Sequence, residues 1–210
     1  TLSSLYYAVD DVPAALLAAR RAYEEDAYLS AADGIVDRLF WGSIDLEQFS
    51  QARRWCTEGA GRWIEDPRFV ACQLTLMATP AVPADVDQGW QLLARLDSLV
   101  TGPREEYLSA AGRMDLGGTI ARAGMPDSAR AMLLRARDRG TPENDPTQEL
   151  LQIEAYMRSL LEDNDEAIDL LKRYVAANPD HDFAHTAGTA WWWRELRRHP
   201  RFVEVMGTGS

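Results

Sequence analysis

Two stretches of this chain fall on each other at a fixed offset of 38 residues, and that repetition restricts the fold more than any other feature. Gly117, Gly124, Ala129, Leu133 and Ala136 in the first stretch match Ala155, Glu162, Ala167, Leu171 and Tyr174 in the second. Pro142 lies near the place that Pro179 takes. The residues between are helix formers, with small residues where two short helices would cross. A period of this length, built from two helices, is the mark of an α-solenoid. Neighbouring units then bury one another, and the product is an extended surface that serves binding more often than catalysis.

Read by helical period, the rest of the chain is a series of amphipathic segments broken by Pro, Gly and Asp. Asp10-Asp11-Val12-Pro13 predicts a cap and first turn, opening a helix that runs to about Glu25. A second helix is expected from about Tyr28 to Trp41, closed by Gly42-Ser43-Ile44-Asp45, and a third from Phe49 to Trp63. Glu65-Asp66-Pro67 leads into a helix over Arg68 to Met77. Thr79-Pro80-Ala81-Val82-Pro83 is a connector, because two prolines remove donors and clash with a preceding turn. Asp85 to Val100 follows, then the two recognisable repeats, then Ala184 to Arg198 and a short piece from Arg201 to Val205. No stretch alternates long enough to make a strand. The expected product is all-α: a right-handed solenoid of about five helix pairs with a C-terminal capping helix. It forms one domain over residues 1–206, with best repeats at 105–142 and 147–180, and residues 207–210 are a flexible tail.

The small-residue pattern resembles the tetratricopeptide repeat (TPR). Leu116-Gly117, Ile120, Gly124, Ala129, Leu133 and Ala136 carry it in the first unit, and Ala155, Ala167, Leu171, Tyr174 and Pro179 in the second. The second departs at Glu154, Arg158 and Glu162, where the family prefers apolar, aromatic and Gly residues. The ending, Trp191-Trp192-Trp193-Arg194-Glu195-Leu196 with His199-Pro200-Arg201-Phe202, is similar to the close of TPR regions in bacterial signalling proteins such as receptor-type Ser/Thr kinases. The resemblance implies a protein or peptide partner held on a concave groove lined by the first helix of each repeat. It places Met114, Gly118, Ala121 and Arg122, then Glu149, Gln152, Tyr156 and Ser159, on that groove. Met114, Arg122, Gln152, Tyr156 and Trp192 are the candidate partner-binding residues. Neither Arg122 nor Tyr156 is needed for the repeat pattern, so their loss is expected to spare the fold. The Lys, Asn and Arg set that clamps chaperone tails in some relatives is lacking.

Net charge is −11, from 33 acidic against 22 basic residues, so a polyanion would be repelled and nucleic acid is not an expected partner. No run approaches a membrane span. Thr1-Leu2-Ser3-Ser4-Leu5 has neither an initiator Met nor a signal-peptide pattern, as expected of a piece of a longer protein or a processed form. The compartment stays open between cytoplasmic and extracytoplasmic.

Catalytic chemistry has few candidates. His181 and His185 stand four apart, a zinc-ligand spacing on a helix, and give an alternative reading as a metal-dependent hydrolase. Asp182 stands where a zincin has its catalytic Glu, and its shorter arm would draw the carboxylate away from a metal-bound water. Against this, Asn178-Pro179-Asp180 reads as an inter-repeat turn with an acidic cap. The carboxylate clusters Glu24-Glu25-Asp26 and Glu162-Asp163 sit at helix ends, where acidic caps are ordinary. No phosphate loop and no cofactor motif is present, so the expectation is a non-enzyme without cofactor; a small-molecule-binding groove is a further alternative. Cys56 and Cys72, the only cysteines, lie equally far from Ile64. They are either two small buried hydrophobes in a reducing compartment or a disulfide in an oxidising one. Trp191-Trp192-Trp193 cannot all face one side of a helix at roughly 100° per residue. Two of them would cap the last repeat, leaving one to anchor a partner.

Overall fold

A computed structural model describes residues 2–28, 30–180 and 188–206. Eleven α-helices lie within its described residues, and these residues form no strand. In chain order the helices are α1 (Leu2–Ala8), α2 (Val12–Glu25), α3 (Ala32–Asp45), α4 (Phe49–Arg62), α5 (Pro67–Ala78), α6 (Val86–Leu99), α7 (Pro103–Arg122), α8 (Pro126–Arg137), α9 (Leu150–Ser159), α10 (Asn164–Ala177) and α11 (Phe202–Met206). Two 3-10 turns, Trp191–Trp193 and Leu196–Arg198, precede α11.

The helices pair in sequence order, and one local device makes most of the pairs. The turn between partners holds a residue in the left-handed region: Asp10 (φ 58°), Glu47 (58°), Gly124 (80°) and Glu162 (60°). In each case the following N–H reaches back across the turn to the same place: Asp11 to the Tyr6 carbonyl, Gln48 to Ser43, Met125 to Ile120 and Asp163 to Arg158. This is the six-to-one bond of a Schellman cap, which satisfies a carbonyl left orphaned at the helix end. Glycine takes this conformation without penalty, which is why Gly124 was legible in the sequence; an Asp or Glu incurs a steric cost. The four turns fall one, two and one repeat lengths apart. The missing turn, between α5 and α6, is the Thr79–Pro83 connector, where the Thr79 hydroxyl donates to the Leu76 carbonyl instead.

Where a pair must approach closely, the sequence removes side chains. A Cβ on Gly117 would lie 2.9 Å from Leu133 of α8, and Ala129 opposite is fully buried. Ala155 and Ala167 do the same between α9 and α10. Small residues at a crossing let two helical backbones come together. Between neighbouring pairs, Gly59 of α4 receives the Phe69 ring of α5, and a Cβ there would lie 2.1 Å from it.

Two boundaries differ from the sequence reading. The second helix starts at Ala32, not Tyr28, and runs through Gly42-Ser43-Ile44-Asp45. Gly42 is interior because Leu16 of α2 packs on it, and Ser43 turns its hydroxyl back to the Leu39 carbonyl (2.6 Å) rather than capping. From Trp191 onward the expected Ala184–Arg198 helix is not α-helical; it forms the two 3-10 turns. Trp193, Leu196, Phe202 and Val205 pack on Tyr174 and Leu171 of α10, so α11 and the second turn close the last repeat. That is the capping helix, reached by a different backbone path.

Candidate functional site

The first helix of each pair (α3, α5, α7, α9) packs on the next first helix, making a continuous inner wall. Across one edge of this wall, where those helices end, runs the segment Ala190–Arg194. Trp191 is its anchor. Its indole Nε1 donates to the Ile44 carbonyl at 2.7 Å, at the end of α3 and 147 residues away in the chain. Its ring meets Phe49 of α4 edge-on at 5.1 Å and Tyr156 of α9 at 5.6 Å. Trp192 stacks on Trp191 at 4.1 Å and also meets Tyr156 edge-on at 5.3 Å. These are the offset and T-shaped arrangements that ring quadrupoles favour. Arg194 then forks onto both oxygens of Glu47, at 3.1 and 2.6 Å. Ala81 and Val82 of the connector pack, like the two indoles, against the core formed by α2 to α5.

This strap brings together residues from α3, the α3–α4 turn, α4 and α9. Of the sequence candidates, Tyr156 and Trp192 meet here; Tyr156 is buried beneath the indoles rather than open to solvent. Burial also raises its hydroxyl well above the ordinary phenol range. Arg122 comes close but serves the fold, donating to the Met77 and Val82 carbonyls and so tying the connector to α7. Met114 does not reach the groove surface. It is fully buried between α7 and the α9–α10 pair, because its position on α7 faces the next helix and not the wall. Gln152 is half-buried on α9. The sequence reading missed Ile44, Glu47, Phe49 and Arg194, and named Trp191 only as one of the three Trp residues that cap the last repeat or anchor a partner. Only the Trp run carried a signal, and nothing local pointed to partners so distant in the chain.

Two buried polar groups flank the wall. Asp115 of α7 is buried and accepts a hydrogen bond from Thr75 of α5 at 2.8 Å. Burial pushes its carboxyl up to about 7, against this one opposing hydrogen bond. Glu154 of α9 is fully buried, gripped by Arg137 of α8 and by Arg158 one turn on. Arg158 also pairs with Asp163 and Glu166, and Arg130 with Asp163. The Arg130 guanidinium holds the Asp163 carboxyl below its usual range. The departures from the repeat pattern at Glu154 and Arg158 are therefore two halves of one ion-pair network that clamps α8, α9 and α10 together.

Cys56 and Cys72 are bonded to each other, with Cα atoms 5.9 Å apart, and staple α4 to α5 beside the Gly59–Phe69 contact. His181 and His185 lie outside the described residues. Among the described residues no group of three or more His, Cys, Asp or Glu could hold a metal. No described helix is long and apolar enough to cross a membrane. Beyond Phe49 the surface continues as an open groove of about 740 Å³ along α4, edged by Arg53, Arg54 and Arg62.

No protein-family model and no curated protein matches the chain. Among solved structures, the thermophilic TPR protein TTC0263 of Thermus thermophilus is similar in fold. It matches at a TM-score of 0.59 and 18% identity, over 98% of this chain and 95% of that one. At that identity the likeness speaks for architecture alone: the chain has an all-α helical-repeat fold of the TPR kind.

Proposed function

We propose that this chain is a non-catalytic protein-interaction module whose inner wall holds an extended segment of a partner protein. The supporting observation is the strap itself. A sequence-remote piece of chain lies on the wall through ring contacts, one carbonyl hydrogen bond and one forked ion pair, the same means by which peptide grooves hold their ligands. Residues 1–206 act as one unit in this reading, and the negative net charge disfavours nucleic acid. The finer reading is a scaffold or sensor region of a bacterial signalling protein; it draws on the likeness of Trp191–Phe202 to the close of TPR regions in receptor-type kinases. The Cys56–Cys72 bond favours an oxidising compartment.

Panning the intact protein against a random peptide library tests the module reading. Enrichment of one sequence family, with saturable binding by calorimetry, is expected. Enrichment of nothing, together with a melting shift from a panel of small metabolites, would replace it with the small-molecule groove. Sequencing the reading frame upstream of Thr1 tests the signalling context: an enzymatic domain there is expected, and its absence removes that finer reading.

A further inference from the structure

We infer that the strap is a competitive mimic of the partner: the wall selects an aromatic–aromatic–x–arginine segment of another protein, and Trp191–Arg194 occupies its place until displaced. The inference rests on the interaction-module reading and names the chemistry of that site.

Three observations carry it. First, the receiving groups are fixed without the strap. The Ile44 carbonyl lies at the end of α3, and the N–H four residues on, that of Gln48, turns to Ser43 instead. Ile44 therefore receives only turn bonds, from the Leu46 and Glu47 N–H groups, and no helical bond from the residue four on, which leaves its carbonyl open to the indole. Glu47 is aimed by its left-handed backbone (φ 58°), a conformation that an Asp or Glu adopts only at a cost. Phe49 sits in the first turn of α4. Second, the strap's contacts are specific in direction: an indole N–H for a carbonyl, two rings edge-on to a third, and a guanidinium forked on a carboxylate. A forked pair of this kind selects Arg over Lys by geometry. Third, the strap is not sealed in. Arg194 is half exposed, Trp191 and Trp192 are only partly buried, and the groove continues past Phe49 along α4 with room for a longer chain. A closed core would have buried these rings fully, as it does Trp193, at 4% exposure.

An occupant attached to its own site lowers apparent affinity for an outside ligand by the fraction of time the site is free. Loosening the strap must therefore strengthen binding in trans, the opposite of what loss of a structural cap would do. The probe is a fluorescein-labelled peptide with the sequence of residues 188–198, read by anisotropy against the intact protein and variants. Arg194→Glu sets two carboxylates together at the half-exposed Glu47 without touching the core, and it is expected to tighten peptide binding at least tenfold over the parent. Trp191→Ala is expected to act in the same direction. Glu47→Arg is expected to reject the natural peptide and bind the one carrying Arg194→Glu, an exchange of charge that a general loss of stability cannot imitate. Equal weak binding by parent and Arg194→Glu overturns the inference, as does a Glu47→Arg protein indifferent to the peptide's charge. Dimerisation of Arg194→Glu, with no peptide uptake, overturns it in favour of a second copy of this chain. If library peptides bind the protein but ignore Glu47→Arg, the module reading survives while this site fails.

Discussion

At the scale of single residues, the inner wall carries an uncompensated acid. Asp115 holds its proton up to about pH 7 because burial penalises the charged form and only Thr75 opposes it. The unfolded chain gives up that proton near pH 4. Between these values the native state binds more protons than the unfolded one, so stability falls as pH rises, and the deficit is complete above about pH 7. Asp115→Asn removes the charge and keeps the shape. It is expected to raise the melting temperature at pH 8, by an amount corresponding to at most about 4 kcal/mol, to raise it by about a third as much at pH 5, and to change it little at pH 4. An equal effect at pH 8 and pH 4 would show that the carboxyl is ionised throughout. Tyr156 and Arg122 also change meaning once their surroundings are known. The first is a buried platform and the second a tie to two carbonyls. Tyr156→Ala is therefore expected to destabilise by about 3 kcal/mol or more, as large-to-small changes of aromatic core residues do. The sequence pattern alone implied that neither residue mattered to the fold.

At the scale of elements, the repeated turn makes a prediction of definite sign. Gly124 and Glu162 occupy equivalent places with the same left-handed backbone. Glu162→Gly is expected to stabilise the protein by about 0.5–1 kcal/mol, since it removes the Cβ strain at that φ. Denaturant midpoints check it, and destabilisation would mean that the Glu162 side chain contributes more than its backbone costs. The α4–α5 staple behaves differently. The double change Cys56→Ala and Cys72→Ala is expected to cost about 3 kcal/mol, the loop-entropy value for a bridge of this span. Parent protein melted with a strong reductant should lose a similar amount. The Glu154 network is more sensitive than either. Glu154→Ala would strand two arginines, one of them almost wholly buried, and removal of one partner of a buried pair costs roughly 3–5 kcal/mol.

At the scale of the whole molecule, the strap joins ends that repeat packing leaves apart. Solenoid units touch only their neighbours, yet Trp191 bonds α3 and α4 on one side and α9 on the other. Weakening it is expected to leave helicity unchanged while freeing the C-terminal end. Trp191→Ala should be cut by trypsin at Arg197 or Arg198 several-fold faster than the parent, with the same circular dichroism. Cutting at the parental rate would mean that Trp193 and α11 alone hold this end in place.

What the sequence determined by itself is what repeats locally. The period, the helical class, the small residues at Gly117, Ala129, Ala155 and Ala167, and the left-handed turn at Gly124 follow from constraints acting within one helix pair. Such constraints recur along the chain and leave a visible mark. The same logic fails at Glu162, where an acidic residue takes a glycine's conformation, and at Gly42, where a residue that usually ends a helix lies inside one. At Glu162 the backbone bond that closes the turn outweighs local preference, and at Gly42 the packing of Leu16 does. What only the tertiary structure decided is the wall's occupant. Ile44, Glu47, Phe49, Tyr156 and Trp191 share no spacing and no motif, and they meet only because stacked pairs bring remote turns to one edge. Backbone carbonyls leave no trace in a side-chain alphabet, and a ring that packs across 147 residues looks, in sequence, like any other ring.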